Sequence, residues 1–189
     1  MKPTAHLVRS VALLSCHAIV SDCLTPAFVH DPTCDVTYNG VSEHGIETFF
    51  GIHYGQDTGG ANRFKPPKFY VPKSGSTIDA TNAGPACPQP KGDSFKPLYL
   101  SNVTDVSEDC LHLNVYRPAG TKPNAKLPVL LFIHGGSFWI GSKDELVTQP
   151  GGLIKRSVDL GIPLMYVSIN YRLGGTYHDL RWYRSSVRC

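Results

Sequence analysis

The chain has 189 residues, enough for one domain of typical size with a real core. Hydrophobic residues make up 41% and charged residues 17%, with 18 Gly and 15 Pro, which is a turn-rich globular composition and neither a coiled coil nor a disordered tail. The net charge of +3 excludes nucleic acid or an anionic membrane as the default partner, and no run of 18 apolar residues exists to make a transmembrane segment.

Residues 1–27 read as a signal peptide. Lys2 and Arg9 give a basic start, Val11–Val20 a short apolar stretch, and Ser21, Cys23 and Ala27 the small residues of a cleavage region. Secretion is therefore expected. It also suits the cysteines: Cys34, Cys87, Cys110 and Cys189 remain beyond the leader, without a CxxC pair that would suggest structural zinc, so disulfides are the better expectation. Asn102-Val103-Thr104 is a glycosylation sequon in a polar loop, which places a candidate glycan on Asn102.

Residues 28–174 carry the domain. Val36–Tyr38 is strand-like, Asn39-Gly40 is a turn dipeptide and Thr48–Tyr54 is a second strand, together an antiparallel hairpin pattern. Residues 55–107 are dense in glycine and proline and leave no room for long helices, so this stretch is expected to be irregular and stapled or functional. Leu111–Arg117 alternates, with Leu111, Leu113 and Val115 on the face expected to be buried. Pro128–Ile133 and Pro163–Ile169 are continuously apolar, the pattern of parallel strands covered on both faces, and Gly152–Leu160 between them has near-helical spacing. This is a βαβ unit. The sheet is expected to end at Pro163–Ile169, with an apolar edge there.

His134-Gly135-Gly136-Ser137-Phe138-Trp139 follows directly on the strand ending at Ile133. Loops at the carboxyl ends of such strands form ligand crevices. Adjacent glycines let the backbone turn sharply, so that unpaired N–H groups can face an oxygen that becomes negative.

Four motifs give a family resemblance. They are Phe50–Tyr54 with Arg63–Pro67; Ala86-Cys87-Pro88-Gln89; Ser107–Val115 (SEDCLHLNV); and Phe132–Phe138 leading to Ser168–Gly174 (SINYRLG). In that order the chain resembles the N-terminal part of the type B carboxylesterases, the cholinesterase-like family that includes secreted fungal carboxylesterases and lipases. The resemblance implies the N-terminal portion of an α/β-hydrolase fold, antiparallel strands leading into a mixed, mostly parallel sheet. It implies ester hydrolysis of a small-molecule or lipid ester without cofactors, with Gly135, Gly136 and Ser137 as the oxyanion-hole loop. It also implies a Cys87–Cys110 disulfide and an Arg63–Glu108 ion pair.

The nucleophile elbow GxSxG occurs nowhere in the chain, and no histidine or acid stands in a partner motif. Residues 175–189 form a divergent tail. The expectation is thus an N-terminal hydrolase fragment that is inactive by itself, carrying the oxyanion loop without nucleophile, base or acid. The alternative is a non-catalytic cholinesterase-like binding module or a dead truncated product. His134 is expected to shape its loop, not to act as a base. His178-Asp179 is read as a solvated tail pair, and Phe138 and Trp139 as pocket wall, with simple core packing as the alternative.

Overall fold

A computed structural model describes residues 24–90, 103, 105–146 and 149–174. The leader up to Cys23, Asn102 and the tail after Gly174 lie outside the described residues. Seven strands and one α-helix follow in order: β1 (Thr25–Asp31), β2 (Val36–Glu43), β3 (Ile46–His53), β4 (Thr77–Asp79), β5 (His112–Pro118), β6 (Val129–Ile133), α1 (Gly151–Asp159) and β7 (Met165–Ile169). They form one mixed sheet in the order β1-β2-β3-β5-β7-β6, with β4 pairing parallel to β2. The pairs β1–β2, β2–β3, β3–β5 and β5–β7 are antiparallel, and β6–β7 is parallel.

The first hairpin differs from its sequence reading. Its turn falls at His44-Gly45, both on the positive side of φ (50° and 78°), while Asn39-Gly40 runs inside β2. Two left-handed residues are what a tight two-residue hairpin demands. β1 begins at Thr25, within the expected leader, and buries Ala27 against Phe49 and Ala80.

β3 and β5 pair through an irregularity. Phe49 faces Val115 and Ile52 faces Leu113, so Phe50 and Gly51 together oppose Asn114. This is a β-bulge. Gly51 lies at φ 62°, where a Cβ would come within 2.3 Å of the Asn82 carbonyl oxygen. The Gly51 N–H donates to Asn114 Oδ1 (3.0 Å).

The buried face of β5 is the one with the polar residues. His112, Asn114 and Tyr116 are buried, whereas Leu113 and Val115 are half-buried. Asn114 is wholly enclosed because its amide is satisfied on both sides: it accepts from Gly51 and donates to Asp144 Oδ1 (2.7 Å). A buried amide with its hydrogen bonds made carries little penalty. Tyr116 packs with Ile154 of α1 and Tyr166 of β7.

The end of the sheet also differs. β7 lies between β5 and β6, and β6 is the outer strand. Helix α1 packs over β5 and β3. β6 is therefore bare: Val129, Leu131 and Ile133 are 58%, 54% and 58% exposed. Its apolar run marks a strand built to be covered, but among the described residues nothing covers it.

Candidate functional site

The loop after β6 is held from three directions. His134 is buried and its ring stacks on Tyr171, with centroids 4.4 Å apart. Its Nδ1–H donates to the Gly135 carbonyl (2.8 Å), and Tyr171 Oη donates to the His134 carbonyl (2.7 Å). Burial lowers the affinity of this imidazole for a proton. Stacked on Tyr171 and bonded to its own loop, His134 is part of the framework that holds the turn.

The turn itself consists of three successive residues at positive φ: Gly136 (118°), Ser137 (55°) and Phe138 (59°). Only glycine fits at 136, since a Cβ there would lie 1.9 Å from the Ile140 carbonyl oxygen. The Gly136 carbonyl accepts from the N–H groups of Trp139 and Ile140. The N–H groups of Gly136 and Ser137 have no acceptor among the described residues. Gly135 and Ser137 are exposed, and Ser137 Oγ bonds to no base among the described residues. Phe138 and Trp139 are 59% and 53% exposed beside the loop, so neither is a core residue among the described residues.

The far end of the loop is clamped by a residue whose role the sequence did not reveal. Gln89 Oε1 accepts from the Gly141 N–H and Gln89 Nε2 donates to the Gly141 carbonyl, both at 2.9 Å. The same Nε2 donates to the Cys87 carbonyl (3.1 Å). Cys87 and Cys110 form a buried disulfide, with Cα atoms 5.0 Å apart. The loop is thus tied through one amide to the staple. Beyond it, fully buried Lys143 donates from Nζ to the Ala83 carbonyl and to Asp144 Oδ2, both 2.6 Å. The Lys143 N–H donates to Asn170 Oδ1 (2.8 Å), and Asn170 Nδ2 donates to the Pro85 carbonyl (3.1 Å). Arg63 and Glu108 meet as an ion pair, with side chains 47% and 27% exposed.

A second constellation joins the ends of β3 and β5. His53 and His112 are register partners, and their Nε2 atoms lie 3.0 Å apart. Asp109 Oδ2 is 3.9 Å from His53 Nε2. The His53 ring stacks on Tyr70 at 4.9 Å and lines a cavity of about 180 Å³ with Tyr38, Ile52 and Asp79. Burial above all, then the neighbouring His53 and Lys143, push the His112 imidazole down to about 4. Of all the described residues, these three alone form a cluster with donor atoms close enough to hold a metal ion.

A model of the carboxylesterase family matches residues 36–176. An "inactive carboxylesterase-like protein VdtD" of Byssochlamys spectabilis is 48% identical over 149 residues, covering 77% of this chain and 25% of its own length. A secreted lipase of Arthroderma benhamiae is 42% identical over 146 residues, with the same two coverages. Among solved structures, a thermophilic pNB esterase superposes with a TM-score of 0.64 at 34% identity, over 79% of this chain and 29% of that one. The chain spans about a quarter of the length of the curated relatives it matches. Its architecture is the N-terminal portion of an α/β-hydrolase fold.

Proposed function

Because the chain belongs to the carboxylesterase family, we propose that it carries the oxyanion-binding loop of a serine esterase or lipase without the nucleophile, base and acid of the triad. The observation that supports this most is the Gly136–Ser137 turn. Its two N–H groups have no acceptor among the described residues, its shape is enforced by a glycine no other residue can replace, and it stands at the carboxyl end of a parallel strand. Such donors stabilise the negative oxygen of a tetrahedral intermediate in acyl transfer. The substrate class is a carboxylic ester, of a small alcohol or of a lipid.

The loop alone does not make an esterase. Acyl transfer needs an activated nucleophile opposite the hole. Ser137 has no base beside it among the described residues, and the sequence contains no GxSxG. Exposure of the loop also leaves its donors competing with water, where they are worth far less than in a dry site. A non-catalytic role as a binding module is the second reading, and the printed name of the 48% identical relative favours it. Secretion, a signal peptide that ends ahead of β1 and a glycan on Asn102 accompany either reading; secreted relatives and the buried disulfide support an oxidising destination.

The test uses the full chain. A chromogenic short-chain ester should be hydrolysed no faster than in buffer, and a fluorophosphonate should label no serine. Amide resonances of Gly136 and Ser137 should shift when a phosphonate monoanion is added. Sustained turnover with stoichiometric labelling would overturn the missing nucleophile; unmoved amides at both positions would overturn the oxyanion loop.

A further inference from the structure

We propose that His53, His112 and Asp109 form a binding site for a divalent transition-metal cation of the zinc class, which clips β3 to β5. The inference is independent of the ester-binding loop.

The donors converge from three backbone positions. His53 and His112 are opposite one another in the antiparallel pair, so both side chains project to the same face of the sheet. Asp109 precedes Cys110, and the buried disulfide at that cysteine fixes the segment from which the carboxylate extends. The three ligand atoms all lie within 4.8 Å of one another. With metal–ligand bonds of about 2.0–2.2 Å, tetrahedral donors stand roughly 3.3 Å apart. The His53–His112 separation of 3.0 Å and the His53–Asp109 separation of 3.9 Å bracket that value. Rotations of exposed side chains, not backbone shifts, close the difference.

Protonation points the same way. Two Nε2 atoms at 3.0 Å share one proton, so one ring donates through Nε2–H and the other accepts. The accepting ring then carries Nδ1–H, and the donating ring has a bare Nδ1. Both Nδ1 atoms are buried and neither has a partner. The arrangement as a plain hydrogen bond therefore strands two buried polar atoms for one bond made, a poor exchange. A cation that takes both Nε2 lone pairs replaces the one shared hydrogen bond with two metal–ligand bonds and sets both rings to the Nδ1–H tautomer, leaving the Nδ1 surroundings as they are. The Pro85 carbonyl acts on the His112 ring as a nearby backbone acceptor.

The donor set selects the ion. Two imidazoles and one carboxylate suit zinc, nickel or copper; calcium and magnesium require more oxygens than this site offers. Entry is from solvent, because the side chains of His53 and Asp109 are 27% and 45% exposed while His112 forms the floor. Three protein ligands leave a fourth position for water.

The experiment takes the full chain stripped by a chelator and titrates it with zinc chloride in a calorimeter, and with cobalt(II) followed by visible absorption. One equivalent should bind, with the intense absorption of a low-coordinate cobalt site, and zinc should raise Tm. His53→Gln and Asp109→Asn alter half-exposed positions; circular dichroism checks that each still folds. Each should weaken binding by more than the ~10–100-fold that loss of an outer partner costs. Imidazole nitrogen resonances of wild-type protein supply a readout that needs no variant: two histidines, His53 and His112, should shift together on zinc addition. No saturable binding, undiminished binding in both folded variants, or shifts confined to other histidines would each overturn the site.

Discussion

Arg63 grips Glu108 through both carboxylate oxygens, Nε to Oε1 at 2.6 Å and Nη2 to Oε2 at 2.5 Å, across 45 residues of chain. The Glu108 carbonyl meanwhile accepts from Thr58 Oγ1 (2.6 Å), so one residue ties two points of the 57–63 loop to the disulfide segment. The side chains remain 47% and 27% exposed, so the pair is screened by water and salt. A double-mutant cycle with Arg63→Ala and Glu108→Ala should show a small favourable coupling in the urea midpoint that shrinks in high salt. The Arg63 hydrogen bond holds the Glu108 carboxyl below its ordinary 4.5. Its contribution is therefore present above pH 4.5 and is lost as pH falls through the lower folded value. A coupling independent of both salt and acid would show that packing, not charge, joins the loops.

Breaking the Cys87–Cys110 bond should cost more. The sequence separation is 23 residues, and loops of that size correspond to roughly 3 kcal/mol of chain entropy. The double variant Cys87→Ala/Cys110→Ala should shift the denaturation midpoint by that amount, and reductant should have the same effect on wild type. It should also loosen the Gln89 clamp on Gly141, read as faster amide exchange there. An unchanged midpoint would contradict the staple.

Gly136→Ala should destabilise by about 2–4 kcal/mol, because strained φ and a clash with fixed backbone add. The matched control is Gly120→Ala, also at positive φ (73°) but with nothing within 4 Å of the added methyl, where about 1 kcal/mol is expected. Equal losses at the two sites, measured by thermal unfolding, would remove the case for a uniquely shaped turn.

Acid should unfold the metal-free chain through its buried imidazoles. His112 is pushed down to about 4, chiefly by burial, and His134 is lowered by the same cause. His53, Lys143 and Asp109 face His112; Asp144 and Glu145 face His134 and partly offset its burial. Both groups bind protons less readily folded than unfolded. Stability is thus full above pH 6.5 and is lost as pH falls from 6.5 towards 4. His112→Phe should flatten that part of the urea-midpoint profile in chelator-containing buffer. A profile with the same slope in the variant would refute the assignment.

The bare β6 should make the chain self-associate. Val129, Leu131 and Ile133 present apolar side chains on an outer strand whose edge can template another. Sedimentation at rising concentration should show oligomers, and Leu131→Lys, which places a charge on the edge, should reduce them. Monodisperse wild-type monomer at high concentration would sink this expectation.

Alternation and apolar runs located β2, β3, β5, β6, α1 and β7, because those signals are local. They failed where the deciding contact lies far along the chain. Asn114 reads as the polar face of β5, yet it is enclosed because its partner Asp144 stands 30 residues away. The run Val129–Ile133 reads as doubly covered, yet strand order puts it outermost, and order is not written in any window of sequence. The glycine turn was legible because sterics at a single residue demand it. The Gln89 clamp was not, since its two bonds reach across 52 residues. β1 hid behind the leader, and β4 has only three residues to signal with.

The bulge at Phe50-Gly51 sets a counting parity for everything after it. Strand side chains alternate, so one extra residue inverts which face each later residue presents. Without it, Phe49 opposite Val115 would place His53 opposite Leu111, and its imidazole would turn to the other side of the sheet. Deleting Gly51 would turn the bulge into regular pairing, with Phe50 opposite Asn114, Ile52 still opposite Leu113 and His53 still opposite His112; what it would remove is the N–H that Asn114 Oδ1 accepts. A further residue inserted at this point would instead have to be absorbed as a wider bulge to keep those partners, whereas the nearby loop at Gly59-Gly60 has no such arithmetic to preserve.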